Sequence, residues 1–357
     1  MIIDDRLFQP FNYRSEFNVT PIFVNDDVVD MTINPTTAGS AASVVWRPVS
    51  AALGVNNTLT TGAPDSKYTL KLNPEFPECI GQPGCTAEIT GQLPIDFVPP
   101  LTNAFPLVQT FRIVEPSNYA RTVFIEALEA AGVKVDAATV EPNPTQLLPP
   151  KNSYAPSTQV AELIGLPYAD YAKLILKVSY NIGADTSLVL WGLTQGVDNL
   201  TAALQVEQGN LASHFGITPN EYHFLNGSGG STTTAINGAV TKLLLGMTAT
   251  AVFPTYFDAF PILGVDGSLS FVKDFQSDPT LAGATGQVRA KTGTFVAGSA
   301  TGIVLRGQAF GGYITTKSGR QLVFQLVVNN VPLANVLDVV HVFQDEGTIS
   351  AILWRDN

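Results

Sequence analysis

Short runs in which apolar and polar residues alternate dominate the first part of the chain. From Ile2 to about Phe111, stretches such as KYTLKLNP and AEITGQLPI alternate in this way and are separated by Pro, Gly and Asn. Alternation with a period of two is typical of strands that bury one face, and these three residue types favour turns. We therefore expect a β-rich region here.

One segment after these runs has the spacing of a helix instead. In SNYARTVFIEALEAAGV, residues 117–133, five apolar side chains share one face of a helix: Ala120, Val123, Phe124, Leu128 and Ala131. Ser117 follows Pro116 as a plausible N-cap, and Gly132 is a plausible stop. The spacing predicts an amphipathic helix.

A proline-rich stretch then interrupts the pattern. Residues 140–159, VEPNPTQLLPPKNSYAPSTQ, contain five prolines and few periodic apolar positions, which is typical of a linker. We therefore expect a domain boundary near residue 150. A β-rich accessory domain would occupy residues 1–150, and a second domain would occupy residues 151–357.

Helical spacing opens the second domain, and strands follow. Helices are expected over about 167–191, 198–215 and 231–246. Residues 299–330 then contain three β-branched runs, separated by hairpin signals at Arg306–Gln308 and Lys317–Gly319. A last helix is expected from the spacing of Val336, Val339, Val340 and Phe343. This order predicts an α/β domain with helices and an antiparallel sheet.

The composition describes a folded, acidic chain of 357 residues. Apolar residues make up 45% and charged residues 14%, which excludes a charge-rich disordered protein. The formal net charge of −11 opposes binding to nucleic acid, because neutralising phosphates requires clustered Lys and Arg. No apolar run is long enough for a membrane span. Three histidines lack the spacing of zinc ligands, so neither a metal nor another cofactor is expected: His214, His223 and His341.

The two cysteines lie close together in PECIGQPGCTAEI. Gly81, Pro83 and Gly84 between Cys79 and Cys85 would let the chain turn back sharply. This spacing favours a small disulfide-closed loop over the alternative of two unrelated thiols. Such a bond persists in an oxidising compartment, which indicates a location outside the cytoplasm.

Two short motifs point to catalysis when they are taken together. Ser179-Tyr180-Asn181 lies at the end of a helical run, and Lys291-Thr292-Gly293 begins a predicted antiparallel strand. Each motif is short enough to occur by chance, and Ser-x-Asn turns are common because both side chains bond to nearby backbone. Together, in this order, they match two of the three elements of penicillin-interacting serine enzymes.

With these residues the chain resembles a family, the serine D-alanyl-D-alanine carboxypeptidases and endopeptidases. These are low-molecular-mass penicillin-binding proteins with domains inserted in the catalytic domain. The likeness covers nearly all of the chain, and its most specific part is VDGSL, residues 265–269, shortly before the Lys-Thr-Gly strand. Other matching stretches are MIIDDRLF, VNDDVVDMTINP, GQLPIDFVP, NGSGGS (226–231) and KTGTFVAGSATGIVLRGQAFGGYITTKSGRQLVF.

The resemblance implies both a fold and a set of roles. The fold would be α/β: a penicillin-binding, β-lactamase-like transpeptidase domain of helices and antiparallel sheet, incomplete, preceded by a partial β-rich accessory domain. Lys291 would add positive potential beside the nucleophile and attract the terminal carboxylate of the peptide. Ser179 would relay a proton to the leaving D-alanine amine, and Asn181 would hold the amide on the acyl side.

Three residues of the strand would bind substrate on the same grounds. Gly293 would leave room for the substrate backbone to lie against the strand. The backbone N–H of Thr294 would serve as an oxyanion donor. The hydroxyls of Thr292 and Thr294 would be available to the carboxylate.

The sequence departs from the family pattern in the nucleophile. The family carries it in Ser-x-x-Lys on a helix before the inserted domains, and no such motif precedes Ser179. The only match, Ser270 to Lys273, lies in the wrong place and is interpreted as chance. The first residues already fit the interior of the family pattern, so we expect a truncated sequence rather than a true short form without the serine, which would also explain the missing export signal. A smaller departure is Asn226, where the family pattern has Asp before Gly-Ser-Gly.

Three functions are compatible with these observations to different degrees. The first is an exported, periplasmic or otherwise extracytoplasmic enzyme. It would remove the terminal D-alanine of peptidoglycan stem peptides, or cut their crosslinks, through a serine acyl-enzyme that β-lactams inhibit. The second is a non-catalytic module that binds cell-wall peptides in a cleft with Ser179, Asn181 and Lys291. A class A β-lactamase fits poorly, because such enzymes have no long β-rich region before Ser-x-Asn.

Overall fold

The computed structural model describes residues 1–99, 104–230, 232–299 and 302–357. The chain divides into two compact units, unit 1 over residues 1–160 and unit 2 over residues 161–357. The proline-rich stretch that the sequence marks as a linker is the last part of unit 1. Ser231, Ala300 and Thr301, which belong to stretches quoted above, lie outside the described residues.

The described part of unit 1 is built from short strands, one α-helix and short 3-10 helices. The elements are β1 Phe11–Tyr13, β2 Phe17–Val19, β3 Val28–Asn34, β4 Ser43–Arg47, β5 Gly54–Asn57, β6 Thr60–Gly62, β7 Lys71–Asn73, β8 Thr86–Thr90, β9 Gln92–Pro94, β10 Leu107–Arg112 and α1 Pro116–Ala130. Strands β10, β3 and β4 form an antiparallel sheet in that order. Strand β8 pairs in parallel with β5 and antiparallel with β7. Two pairs complete the unit, β1 with β2 and β6 with β9.

The core of unit 1 follows the alternation seen in the sequence. Met31 and Ile33 of β3 are buried two positions apart, as are Ala87 and Ile89 of β8. Side chains of a strand point to opposite faces in turn, so one face of each strand supplies this core. Near it, Cys79 and Cys85 form a disulfide that closes a small loop.

Helix α1 lies where the sequence predicts a helix, but its cap and its buried face differ. The N-cap position is Glu115, and Ser117 instead donates a hydrogen bond to the Asp5 carboxylate. Phe124, expected on the buried face, is 49% exposed, whereas Tyr119 and Ile125 are fully buried. The buried face of α1 is rotated from the predicted one because Tyr119, which is next to the predicted apolar positions, packs in the core.

Unit 2 combines six helices with a sheet in its described part. The helices are α2 Tyr168–Val178, α3 Asn181–Thr194, α4 Leu200–Phe215, α5 Asn237–Met247, α6 Phe253–Ala259 and α7 Val339–Asp356. Helix α4 begins where the Asn199 side chain accepts from the Ala202 N–H, and it ends at Gly216 with a φ of 63°. None of the described helices has both the length and the apolar character needed to cross a bilayer.

The main sheet of unit 2 places the Lys-Thr-Gly motif on an edge strand. Its strands are β13 Val288–Ser299, β14 Gly302–Thr315, β15 Gln321–Val328 and β16 Val331–Leu333, after a small pair, β11 Tyr222–His223 and β12 Thr234–Ala235. The order β13-β14-β15 is antiparallel, and β16 also pairs with β14. The hairpin signal at Lys317–Gly319 is correct. The one at Arg306–Gln308 is wrong, because these residues continue β14.

Helix α7 covers one face of this sheet. Val288 and Ala290 of β13 and Phe310 of β14 are buried in one cluster with Ala351 and Trp354 of α7. Because side chains alternate between faces, Lys291 and Gly293 belong to the opposite face. The strand that carries the motif is thus held from behind by a packed core, and its other face is left for a site.

Candidate active site

A left-handed residue breaks the helical run that carries the Ser-x-Asn motif. The sequence predicts one helix over about 167–191, but α2 ends at Val178 and Ser179 has φ 59° and ψ 48°. The N–H groups of Ser179 and Tyr180 both donate to the Ile175 carbonyl, and α3 begins at Asn181. A residue other than Gly in this region is strained by about 1–2 kcal/mol. Such strain is found where a side chain must be presented at a chosen angle.

The side chain presented at this break meets the lysine of the distant strand. Lys291 Nζ lies 2.6 Å from Ser179 Oγ, to which it donates a hydrogen bond, although 112 residues separate them. Lys291 Nζ also donates to the Thr292 carbonyl at 2.5 Å. Two motifs that are far apart in the chain therefore form one polar cluster.

Burial changes the acidity of this lysine. It lowers the pKa of the Lys291 ammonium from 10.5 to about 8. Removing an ammonium group from water disfavours its charged form, and no charged group in the described chain offsets this for Lys291. Lys291 is therefore mostly cationic at pH 7 but can give up a proton at mildly alkaline pH.

A loop before β13 joins the end of α2 to the strand. Asp266 accepts hydrogen bonds from Lys177 Nζ at 2.7 Å and from the Ile262 N–H at 3.0 Å. Gly267 has φ 60°, and a Cβ on it would lie 2.7 Å from the Lys177 carbonyl. Next in the chain, Ser268 Oγ lies 2.8 Å from Thr292 Oγ1. The loop thus sets the spacing between the Ser179 turn and β13.

The residues after Lys291 divide between the two faces and the free edge of β13. A Cβ on Gly293 would meet no atom within 4 Å, so the strand face beside Lys291 is open. Thr292 is buried and bonded to Ser268, and Thr294 Oγ1 donates to Gln308 Oε1 at 2.6 Å. Both hydroxyls, expected to be available to a carboxylate, already have protein partners. Substrate binding by them stays a prediction that requires these bonds to rearrange.

The N–H of Thr294 points to the free edge of the strand. Val288 and Ala290 direct their backbone groups away from β14, since the Val288 carbonyl accepts from Leu263 and the Ala290 N–H donates to Pro261. Backbone groups of a strand change sides at every residue, so those of Thr292 and Thr294 share this direction. The Lys291 bond to the Thr292 carbonyl agrees with this assignment. Thr294 therefore offers an N–H donor beside Lys291.

Asn181 and the NGSG loop flank the start of α3. Asn181 is the first residue of α3, and its side chain makes no hydrogen bond within the described chain, so its amide can bind a ligand. Asn226 Oδ1 accepts from the N–H groups of Ser228 and Gly229 at 3.2 and 2.7 Å. An Asn oxygen performs this turn-closing role as an Asp oxygen would. A Cβ on Gly227 would lie 2.6 Å from the Ala184 carbonyl, so the loop packs closely on α3.

The structure does not make a catalytic motif of Ser270 and Lys273. Ser270 ends a short 3-10 helix, and Lys273 precedes the next one with φ −137°. Residues three positions apart are neighbours on one regular helix, and Ser270 and Lys273 do not share one. That this match arises by chance stays a prediction.

Four residues that organise the site were not identified from the sequence: Lys177, Asp266, Ser268 and Gln308. Asp266 and Ser268 belong to VDGSL, which was noted only for its resemblance. Gln308 is a polar residue inside a long apolar strand, and such an exception is a usable signal because buried polar groups require partners. Lys177 showed no distinctive pattern.

Comparison with protein families gives one match that spans most of the chain. The model of the D-Ala-D-Ala carboxypeptidase 3 (S13) family matches residues 11–341. A search of curated proteins gives no match to the chain.

Two similar solved structures are both of penicillin binding protein 4 (dacB) from Haemophilus influenzae. One, complexed with a novel β-lactam, has a TM-score of 0.65 and 16% identity, and the match covers 94% of this chain and 70% of that chain. The other has a TM-score of 0.65 and 15% identity, and the match covers 99% and 71%. At these identities the likeness is one of fold. It confirms the expected fold class, with helices, antiparallel sheets and a β-rich accessory region.

Proposed function

The chain belongs to the D-Ala-D-Ala carboxypeptidase 3 (S13) family, and we propose that it hydrolyses peptidoglycan stem peptides through a serine acyl-enzyme. The substrate bond is the terminal D-Ala-D-Ala bond or the crosslink between two peptides. The observation that carries the proposal is the 2.6 Å contact between Lys291 Nζ and Ser179 Oγ. It joins the two motifs in a cluster with the chemistry that acyl transfer requires.

Lys291 binds the substrate carboxylate in this proposal. A cation on the open face of an edge strand attracts an anion, and partial burial strengthens that attraction. Its pKa of about 8 leaves it mainly charged at pH 7. The open space beside Gly293 allows the peptide to approach the strand closely enough to reach this charge.

Ser179 and Thr294 act on the reacting bond. In acylation a serine oxygen bonds to the carbonyl carbon, the C–N bond breaks, and the serine proton passes through Ser179 Oγ to the departing amine. The Thr294 N–H stabilises the negative charge that forms on the carbonyl oxygen. Asn181, whose amide has no protein partner in the described chain, holds the amide on the acyl side. Water then hydrolyses the acyl-enzyme.

The proposal does not assign the nucleophile to any described residue. The only Ser-x-x-Lys in the sequence is not on a helix. This observation favours a second candidate function, a non-catalytic module that binds cell-wall peptides with the same cluster. The two functions share a ligand and differ only in covalent chemistry.

Family membership and the disulfide support two further parts of the proposal. β-Lactams would acylate the same serine, as they resemble the substrate peptide. The Cys79–Cys85 bond is of a kind that persists in oxidising compartments, which supports an extracytoplasmic, periplasmic location.

Covalent labelling separates the two functions. The polypeptide is incubated with a fluorescent penicillin, denatured and run on a gel, while release of D-alanine from a peptide ending in D-Ala-D-Ala is measured in parallel. Labelling together with D-alanine release supports the enzyme. Reversible peptide binding by calorimetry without labelling supports the binding module. A polypeptide that is neither labelled nor able to bind the peptide contradicts both functions.

Matched variants test whether binding uses the proposed cluster. Lys291→Met should weaken binding of the peptide at least about tenfold, because a charge-assisted hydrogen bond is lost. Lys317→Met is the control, since Lys317 is an exposed lysine in the turn between β14 and β15. Equal effects of the two substitutions would show that only general charge matters. A peptide with an amidated C-terminus should bind the wild type as weakly as the acid binds Lys291→Met.

A further inference from the structure

A buried polar pair lies behind the strand that carries the proposed oxyanion donor. Gln308 of β14 and Glu346 of α7 are both fully buried. We infer that Glu346 is a positioning residue, which acts through Gln308 on Thr294 and determines how Thr294 presents its hydroxyl and N–H. The inference deepens the proposed function and rests on it for the role of Thr294.

The first link joins Thr294 to Gln308. The two residues face each other across the β13–β14 pair, and Thr294 Oγ1 lies 2.6 Å from Gln308 Oε1. Both side chains belong to the sheet face that α7 covers, together with Ala290 and Phe310. The hydroxyl of Thr294 therefore points away from the open face and is held by one amide.

The second link joins Gln308 to Glu346. Gln308 Nε2 and both Glu346 carboxyl oxygens lack a hydrogen-bond partner of normal geometry among the described residues. Burial raises the pKa of Glu346 to about 8, and the Gln308 amide lies close enough to oppose that rise. Unpaired buried polar groups are costly, so a donor and an acceptor that face each other are expected to pair.

The protonation state of Glu346 decides which orientations of the Gln308 amide are allowed. A charged carboxylate can only accept, so Gln308 must turn Nε2 toward it and Oε1 toward Thr294. A protonated carboxyl can accept from Nε2 or donate to Oε1, so it also permits the orientation with Nε2 toward Thr294. In the first orientation the Thr294 hydroxyl donates into the protein. In the second orientation the Thr294 hydroxyl accepts from Nε2, and its proton no longer binds Gln308.

No ionic partner competes for control of this carboxyl. Charged residues lie on the elements packed against α7, but none of them shifts the pKa of Glu346 in the described chain: Arg289, Lys291, Arg306, Asp274 and Asp338. The causes are burial first and the Gln308 amide second. The amide is thus the route by which a change in Glu346 reaches the site.

Nuclear magnetic resonance of the full chain tests the two links directly. Samples with ¹⁵N in Thr backbone and Gln side-chain amides are titrated from pH 6 to 10. In the wild type, the Gln308 side-chain amide and the Thr294 N–H should both shift with a midpoint near 8. In Glu346→Gln the part of these chemical-shift changes that is due to Glu346 should disappear, because the amide of the new side chain does not titrate.

Lys291→Met is the necessary control, because the Lys291 pKa is also about 8. In that variant the titration of the Gln308 amide should persist. A Gln308 amide that does not titrate in Lys291→Met overturns the inference without requiring any substitution at Glu346. A Glu346→Gln titration identical to the wild type also overturns it.

Binding of a peptide that ends in D-Ala-D-Ala gives a second readout. Glu346→Leu should weaken binding about fivefold at pH 7, the usual effect of losing one hydrogen bond. Glu346→Gln should restore wild-type affinity, because its amide can also donate to Gln308. Equal losses in both variants would mean a merely structural role and would overturn the inference.

The two proposals can fail separately. Absence of peptide binding by the wild type at every pH refutes the proposed function, and the amide titration still decides whether Glu346 controls Thr294. Peptide binding together with an amide that does not respond to Glu346 refutes only the inference.

Discussion

Both units contain buried polar atoms without a partner in the described chain, among them Asp27 Oδ2 and Tyr119 OH in unit 1, but the surroundings of their buried polar groups differ. In unit 1, buried polar groups mostly tie loops to the backbone: Arg121 donates to the carbonyls of Met1 and Glu141, and Asn143 pairs with both backbone groups of Ile3. In unit 2, Gln308 Nε2 and both carboxyl oxygens of Glu346 lack normal partners in the described chain, and they lie behind the strand that carries Lys291.

This difference separates stabilising polar groups from groups kept for chemistry. A satisfied buried polar group makes a fold specific at little cost, whereas an unsatisfied one lowers stability by about 1–3 kcal/mol. Groups with perturbed pKa values that cluster beside an open surface are typical of functional sites. Unit 2 therefore gives up stability along β13, and substitutions should show that trade.

The largest expected effect is at the loop that spaces the site. Gly267→Val should lower the free energy of unfolding of unit 2 by about 3 kcal/mol or more, from a left-handed residue and a clash with the Lys177 carbonyl. Urea unfolding of a Trp46→Phe background measures this, because Trp191 and Trp354 then report unit 2. Gly319→Ala, also in unit 2, is the control: φ is 88° but nothing lies within 4 Å of a Cβ, so about 1 kcal/mol is expected.

Lys291→Met should act in the opposite direction and stabilise unit 2. The folded-state pKa is lowered, so the unfolded state binds more protons between pH 8 and 10.5 and stability rises with pH across that window. Below pH 8 Lys291 is charged in the folded state, and burying this charge lowers stability by its full amount. Removing the charge should raise the free energy of unfolding by about 2 kcal/mol. Unfolding in urea at pH 7 and pH 10 measures both effects. A variant less stable than wild type at pH 7 would contradict the trade between stability and function.

Loss of the disulfide should lower the free energy of unfolding of unit 1 by about 2 kcal/mol. Cys79 and Cys85 are six positions apart, and a loop of this length restricts the unfolded chain only moderately. The double variant with Cys79→Ser and Cys85→Ser should shift the urea transition of unit 1. Trp46 reports this transition in the wild type, and it is not seen in Trp46→Phe. An unchanged transition would show that packing alone holds this loop.

Asp27→Asn should give the smallest effect and test the buried carboxyl of unit 1. Burial raises its pKa to about 7, so the folded state keeps a proton that the unfolded state releases above its ordinary pKa of 3.8. Stability is highest below that value and falls as the pH rises through 7. The variant should lack this fall and be about 1 kcal/mol more stable at pH 8. If the substitution leaves the dependence of stability on pH unchanged, another group causes that dependence.

Much of the fold could be predicted because local patterns carried it. Alternation marked the strands of unit 1, and Gly216 marked the end of α4, because these signals act within a few residues. The errors came from positions decided at longer range. Arg306–Gln308 looked like a turn, yet pairing with β13 on one side and β15 on the other keeps β14 extended through Gln308.

The site could be predicted only in part for the same reason. Ser179, Asn181 and Lys291 were assigned from short motifs and a resemblance to a family. The break of the helix at Ser179 was missed, because left-handed conformations of Ser are not favoured locally. The engagement of the Thr292 and Thr294 hydroxyls was also missed, since their partners Ser268 and Gln308 come from other elements.

The order of strands and helices, the small loop between the cysteines and the residue types available for chemistry follow from the sequence alone, because they depend on neighbours in the chain. The placement of Lys291 against Ser179, the lowered pKa of that lysine and the burial of Glu346 beside Gln308 follow only from the tertiary structure. Burial and the distance between charges are properties of residues brought together across the chain, and both act through the loss of water around a group.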